Sequence, residues 1–177
     1  MKKIKYVSIF FRLLFQVTFV FLIVSQIAGW TYAPKPIAIF NVIPVHYQGL
    51  VLHALDLNSK IAGFFLSSPS LIIKLIVVYS LIKLFYLYEH HEFFSHKNVL
   101  YIRNAGYALL ILEIIKPVTD FFLGFILTLH NPPGFRIAMM TMSETNIGVI
   151  LTSLIIILIS WIMTEGRKLN DEQQLII

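Results

Sequence analysis

Three charged residues at helical spacing are the part of this sequence best suited to chemistry: Glu113, Lys116 and Asp120. They fall within about 60° of one another on a helical wheel, so one helix face would carry all three. Their surroundings are apolar, and an ionisable residue inside a membrane is by default a candidate functional site. A buried carboxylate beside a cation could carry a proton, because desolvation and the neighbouring charge set its pKa.

Three roles for this cluster stay open. The spacings i, i+3 and i, i+4 allow internal neutralisation, which would lower the cost of burying polar side chains, and we expect this structural role first. The second role is recognition of a ligand or partner. The third is proton or ion translocation, which is disfavoured because only one predicted span is charged and the sequence has no inverted repeat.

Other chemistries find less support in the sequence. No Gly-x-Ser-x-Gly elbow, phosphate loop or His-Glu-x-x-His helix occurs, so we expect no enzyme and no catalytic residue. The cysteine count of 0 excludes disulfides and thiol chemistry. His90, His91 and His96 lie in one polar turn, but adjacent histidines point in different directions on a helix, and a solvated turn is the simpler interpretation. We therefore expect no metal site and no cofactor.

The composition identifies the environment of the chain. Of its 177 residues, 58% are hydrophobic and only 13% are charged, whereas a soluble domain is roughly 45–50% apolar and about 25% charged. A soluble monomer is excluded, and the lipid bilayer is the first partner. The net charge of +5 is what a membrane protein needs to set its topology, and the absence of basic runs with interleaved aromatics speaks against direct nucleic-acid binding.

Four apolar stretches predict an all-α integral membrane protein, a four-helix bundle with a single domain over 1–177. The predicted elements are spans at about 7–29, 69–88, 97–129 and 146–163, an outer loop at 30–68 and a cytoplasmic tail at 164–177. Ser68–Pro69 predicts the start of the second span, since serine caps helices and proline is tolerated at the first position. Lys74 and Lys83 would then lie near its two ends and snorkel to the headgroups.

Local signals add detail to the last two spans. Ser95 is the expected N-cap of the third helix, and Pro117 is the place where that helix would kink. In the fourth span, Ser153 and Ser160 lie seven residues apart on one face, which would let a neighbouring helix approach closely. Glu165 to Glu172 could extend this helix, or the tail could be frayed and solvated, and the sequence leaves both alternatives open.

The cations near the predicted membrane boundaries predict the orientation. Nine of the 14 Lys and Arg residues lie on the side of the two termini, four lie on the other side, and Lys116 lies between. Because cytoplasmic segments carry the excess of Lys and Arg, both termini are expected in the cytoplasm, as an even number of spans requires.

Two short segments resemble a known family. The stretch Phe94-Ser95-His96-Lys97-Asn98 leading into Arg103-Asn104-Ala105-Gly106, and the tail ending Leu175-Ile176-Ile177, are similar to the opening of the third helix and the closing pattern of a YoaS-like bacterial family. Its members are small four-span membrane proteins filed under a domain of unknown function. The resemblance covers essentially the whole chain and implies a multi-pass protein of the bacterial cytoplasmic membrane.

The resemblance also implies a partner, because members are often encoded beside a small helix-turn-helix regulator. Both matching segments are expected in the cytoplasm, which suggests a regulatory or sensory membrane component that binds or sequesters a cytoplasmic protein. The residues expected to bind that partner are Phe94, Ser95, Asn98, Arg103, Leu169, Glu172 and Leu175. The alternatives are a small transporter or proton-coupled carrier built on Glu113, Lys116 and Asp120, and a subunit that only stabilises a larger complex. A homo-oligomer also stays open.

Overall fold

The computed structural model describes residues 2–32, 47, 55–92, 95–140, 142 and 144–174. These residues form four helices: α1 (Lys2–Tyr32), α2 (Leu57–Glu89), α3 (His96–Thr128) and α4 (Glu144–Gln174). Three of them, α1, α2 and α4, are long and apolar enough to cross a membrane. The prediction of an all-helical architecture is confirmed for the described residues, and three helices have the length and composition that a membrane span requires. The third helix is as long as α2 but carries five charged side chains and is not among the three.

Each helix packs mainly against its neighbour in the chain. Within the described ranges the extensive contacts join α1 to α2, α2 to α3, and α3 to α4. Successive helices run antiparallel. Because the extensive contacts join neighbours in the chain, α1 and α4 form the two ends of a row and α2 and α3 form its centre. The charged helix α3 therefore lies between two helices that are apolar enough to span a bilayer.

The observed start of α2 differs from the start predicted from the sequence. The helix begins at Leu57 rather than at Pro69, and its N-cap is Asp56, whose side chain accepts a hydrogen bond from the Ser59 amide at 3.2 Å. Pro69 lies inside the helix. Helices in an apolar setting tolerate an internal proline. Residues 57–68 thus belong to α2, and most of the predicted outer loop lies outside the described residues.

Contacts at both ends of the helices join α1 to α2. At the end with the chain's N-terminus, Arg12 Nε lies 3.1 Å from Glu89 Oε2, and the Phe11 ring stacks on Phe85 with centroids 5.1 Å apart. At the other end, Gln26 and Trp30 both donate side-chain hydrogen bonds to the Ser67 hydroxyl, with Trp30 Nε1 at 3.0 Å. Gly63 is required beneath the indole, because a Cβ there would lie 2.1 Å from Trp30.

The C-terminal half of α3 is held by segments outside the helices. Tyr47 is fully buried, and its hydroxyl accepts from the Met139 amide at 2.8 Å and donates to the Met139 carbonyl at 3.1 Å. Its ring lies against Gly124 of α3. One turn later the Thr128 hydroxyl accepts from the Ile137 amide at 3.1 Å. The extended chain after α3 therefore folds back along it.

The interface between α3 and α4 is built from small residues, as predicted. Ser153 and Ser160 are fully buried, and Gly106 lies so close to Ile157 and the Ser153 carbonyl that a Cβ would be 2.8 Å and 3.3 Å from them. Such residues let two helices approach closely. α3 begins ten residues before Gly106, so in this antiparallel pairing the α4 residues 168–174 extend past its start by about 10 Å.

Candidate functional site

A buried carboxylate at the centre of α3 forms the core of the candidate site. Glu113 is 6% exposed, and its Oε2 accepts a hydrogen bond from the side-chain amide of Asn146, which is also 6% exposed. Asn146 lies in the first turn of α4. Burying a carboxylate is costly unless hydrogen bonds satisfy it, so the start of α4 supplies part of what Glu113 needs.

The other two residues of the predicted cluster have different environments. Asp120 is buried, at 9% exposure, and lies on the same side of α3 as Glu113. Lys116 lies between them along the helix but is exposed. The prediction that all three charges are buried together is therefore wrong for Lys116. The reason is geometric: its side chain is on the arc of α3 between the faces that pack against α2 and α4.

A fourth charge belongs to this group. Lys74 of α2 interacts electrostatically with Lys116, Asp120 and Glu113. Because α2 begins at Leu57, Lys74 is 17 residues from one helix end and 15 from the other, or about 22–25 Å. Both distances exceed the roughly 15 Å between the midplane of a bilayer and the edge of its hydrocarbon core. The expectation that Lys74 snorkels from the end of a short span is therefore wrong, and the position of the N-cap explains the difference.

Asn146 and Lys74 were not predicted to belong to this site, although the sequence carries a signal for each. Asn146 precedes Ser153 and Ser160 at the same seven-residue spacing, so the polar face of α4 could have been extended by one step. Asp56 followed by Ser59 is an alternative cap signal to Ser68–Pro69. Starting α2 there would have placed Lys74 at mid-helix.

The arrangement combines buried acids with accessible bases. Glu113 and Asp120 are enclosed, while Lys74 and Lys116 are exposed. Such a group can hold an anion on its lysines or exchange protons among its members. It offers no set for a metal ion, since among the described residues no three His, Cys, Asp or Glu side chains lie close enough to bind one.

The residues predicted to bind a cytoplasmic partner are only partly available for that role. Ser95 caps α3 by accepting from the Asn98 amide at 3.2 Å, as predicted, and Arg103 is half-buried. Asn98 is fully buried, which rules its side chain out as a contact surface, because it lies on the packed side of the first turn of α3.

The tail residues of that set have separate outcomes. Leu169 is 56% exposed, and α4 continues without interruption through position 172 to Gln174, so of the two alternatives for the tail the structure has the helical extension. Glu172 lies in this extension. Phe94 and Leu175 lie outside the described residues.

Comparison with known proteins identifies the family of the chain. A family model described as "Protein of unknown function (DUF2975)" matches residues 52–177, which include α2, α3, α4 and every residue of the candidate site. No curated protein and no solved structure matches. The expectation of a domain-of-unknown-function family is confirmed, and the YoaS-like designation stays a prediction. Because the match covers well over half of the sequence, the chain belongs to the DUF2975 family.

Proposed function

We propose that the protein is a non-enzymatic regulatory or sensory component of the bacterial cytoplasmic membrane that binds a cytoplasmic protein. The observation that carries this proposal is the continuity of α4. One helix of 31 residues joins Asn146, which binds Glu113 at the centre of α3, to an exposed end that extends past the start of α3. A shift of α4 at the polar site would therefore change the presentation of its cytoplasmic end.

The proposal places α3 in the membrane with the other three helices. Its support is the packing of α3 between α2 and α4 and the direction of its polar groups, since Glu113 and Asp120 are buried rather than turned toward lipid. A charged helix is tolerated in a bilayer when its charges face the protein interior.

The charge distribution supports an orientation with both termini in the cytoplasm. With Lys74 assigned to mid-helix, nine cations lie toward the side of the two termini, and the described residues place Lys60 and Arg136 toward the opposite side. Arg12, Lys83 and Arg103 all lie toward the nine-cation end.

The docking surface would be the C-terminal end of α4. Leu169 is an exposed apolar residue among charged ones, and Lys168 and Glu165 form an ion pair at 3.1 Å along the helix. An amphipathic helix of this kind can place its apolar side in a groove of another protein. The resemblance described above suggests a small helix-turn-helix regulator as the partner.

Site-specific photo-crosslinking in intact membranes tests the proposal. A photoreactive residue at position 169 should yield a discrete adduct with a soluble helix-turn-helix protein. The same residue at position 162, where Ile162 is 63% exposed on the apolar part of α4, serves as the matched control and should yield none. The captured protein is then purified and mixed with the full-length protein in nanodiscs. Binding that Leu169→Glu abolishes supports the proposal, whereas no binding of the purified pair contradicts it.

A small transporter or proton-coupled carrier is the second candidate, and the buried Glu113 and Asp120 beside Lys74 favour it. Neutralising Glu113 and Lys116 together separates the two candidates. In proteoliposomes with an imposed pH gradient, a carrier loses its flux in the double variant, whereas a regulator shows no flux in either protein.

A further inference from the structure

Lys74 lies on the packed side of α2 and is nevertheless exposed. The apolar residues that α2 exposes include Ile72, Ile76 and Tyr79, and Lys74 lies about 165° around the helix from their mean direction. Its neighbours Val77 and Val78 are buried. The lysine therefore points away from the surface suited to lipid tails and toward the interior of the helix row, where an opening leaves it accessible.

Lys116 of α3 has the same relationship to its helix. The exposed apolar residues of α3 include Ile111, Ile114 and Val118, and Lys116 is again about 165° from their mean direction. It lies 20 residues from the start of α3 and 12 from its end, or about 30 Å and 18 Å. Lys74, at mid-helix, is too far from either helix end to be explained by snorkelling.

The exposure of both lysines on the packed sides of neighbouring helices marks an opening there, which we call the cleft. Lys74 interacts electrostatically with Lys116 and with the two carboxylates behind it. Because Glu113 and Asp120 are buried while both ammonium groups are accessible, the part of the cluster that a ligand would meet is cationic. A further polar group lies one turn from Lys74: Ser70 Oγ is buried and has no hydrogen-bond partner in the described part of the chain.

We propose that this cleft between α2 and α3, carrying Lys74 and Lys116, binds an amphiphilic anion, that is, a carboxylate or phosphate attached to a hydrocarbon chain. Two accessible ammonium groups at membrane depth repel each other and lack water, and an anion between them relieves both costs. The hydrocarbon chain follows from the setting, since α2 is apolar enough to span a bilayer and Lys74 lies near its middle. This inference adds a class of ligand to the sensory role proposed above. It rests on that role only for the effect that ligand binding would have on the protein.

Displacement of a dansyl-labelled fatty acid from the full-length protein in phosphatidylcholine nanodiscs tests the inference. Laurate and dodecyl phosphate should displace the probe, while dodecanol, which has the same chain without the charge, should not. Inorganic phosphate, which has the charge without the chain, should also fail. Nanodiscs containing phosphatidylglycerol separate the two sources of the anion: occupation by a lipid headgroup lowers probe binding there, and a free amphiphile leaves it unchanged. Displacement by dodecanol or by inorganic phosphate as strong as by laurate overturns the proposal.

Three lysine variants locate the site. Lys74→Gln and Lys116→Gln should each weaken laurate binding about tenfold, because each removes one charge-assisted hydrogen bond. Lys83→Gln is the matched control on the same helix, where the ammonium lies 5.5 Å from the Tyr79 ring centroid, and should change binding less than about twofold. Lys74→Arg keeps the charge and covers the case in which Lys74→Gln fails to fold. Unchanged affinity in both Gln variants, or loss in Lys74→Arg equal to that in Lys74→Gln, contradicts the inference. Neither result depends on the crosslink at position 169, so the two proposals fail separately.

Discussion

Asn146 in the first turn of α4 donates a side-chain hydrogen bond to the carboxylate of Glu113 in the middle of α3. Both side chains are 6% exposed, so neither can exchange its partner for water without local opening. This bond joins the polar centre of α3 to the first turn of α4. The bond therefore matters both for stability and for the proposed coupling of the membrane site to the cytoplasmic end of α4.

Removal of the amide should destabilise the protein more than neutralisation of the acid. Asn146→Ala leaves a buried carboxylate without this donor and should cost about 1–3 kcal/mol of unfolding free energy. Glu113→Gln keeps an acceptor for Asn146 and removes a buried charge, so its cost should be smaller. Reversible unfolding in mixed micelles, followed by circular dichroism, measures both. Thr145→Ala, at the exposed neighbouring position, is the control, and equal losses in all three variants would argue against the bond.

Gly124 should tolerate no side chain, because Tyr47 occupies the space. A Cβ at Gly124 would lie 2.1 Å from the Tyr47 ring, so Gly124→Ala must displace a fully buried tyrosine and should cost about 1–3 kcal/mol. Gly148 of α4 has open space around its Cα hydrogens, and Gly148→Ala should be neutral or stabilise by up to about 1 kcal/mol through helix propensity. The same unfolding assay compares the two. A loss at Gly148 as large as at Gly124 would show that general helix effects dominate.

The sequence predicts those structural features that depend on residues close together in the chain. The start of α3 at His96 after the Ser95 cap, and the buried faces of Ser153 and Ser160, follow from capping preferences and helical periodicity. The start of α2 does not, because Asp56 and Ser68 offer competing caps and only packing against α1 decides between them.

In the polar site, too, the positions on a single helix were predictable and the contacts between helices were not. The wheel position of Glu113 and Asp120 is a local property, and both are buried as expected. Their partners lie on other helices: Lys74 depends on the register of α2 against α3, and Asn146 on the register of α4. Interhelical register follows from side-chain packing along whole interfaces, which a single sequence does not encode at any one position.

Ser67 should be essential to the junction of α1 and α2. Its hydroxyl accepts from Gln26 and from Trp30 and donates to the Gly63 carbonyl at 2.8 Å. Ser67→Ala leaves two largely buried donors without an acceptor and should lower the unfolding free energy by about 1–3 kcal/mol. Ser68→Ala is the matched control, because Ser68 bonds only within its own helix. In a Trp161→Phe background the red shift of Trp30 fluorescence on loss of packing gives a second readout, and an equal effect of the two alanines would refute the interhelical role.

Asp56 should make the beginning of α2 sensitive to acid. Hydrogen bonding from the Ser59 side chain, together with its backbone amide and nearby His130, lowers the pKa of Asp56 below its ordinary value of 3.8. A carboxyl whose pKa is lower in the folded state binds fewer protons there than in the unfolded state. Its stabilisation is therefore complete above 3.8 and is lost as the pH falls through the folded pKa.

Asp56→Asn isolates this contribution, because asparagine also caps helices but does not titrate. The melting temperature in detergent, followed from about pH 6 to about pH 2.5, should fall more steeply in the wild type than in the variant, and only at the acidic end. Asp56→Ala should start lower at every pH, since it lacks both the cap and the charge. Parallel curves for wild type and Asp56→Asn would mean that other carboxylates cause the acid response. A steeper wild-type curve instead assigns that excess to the cap of α2, the feature that places Lys74 at mid-helix.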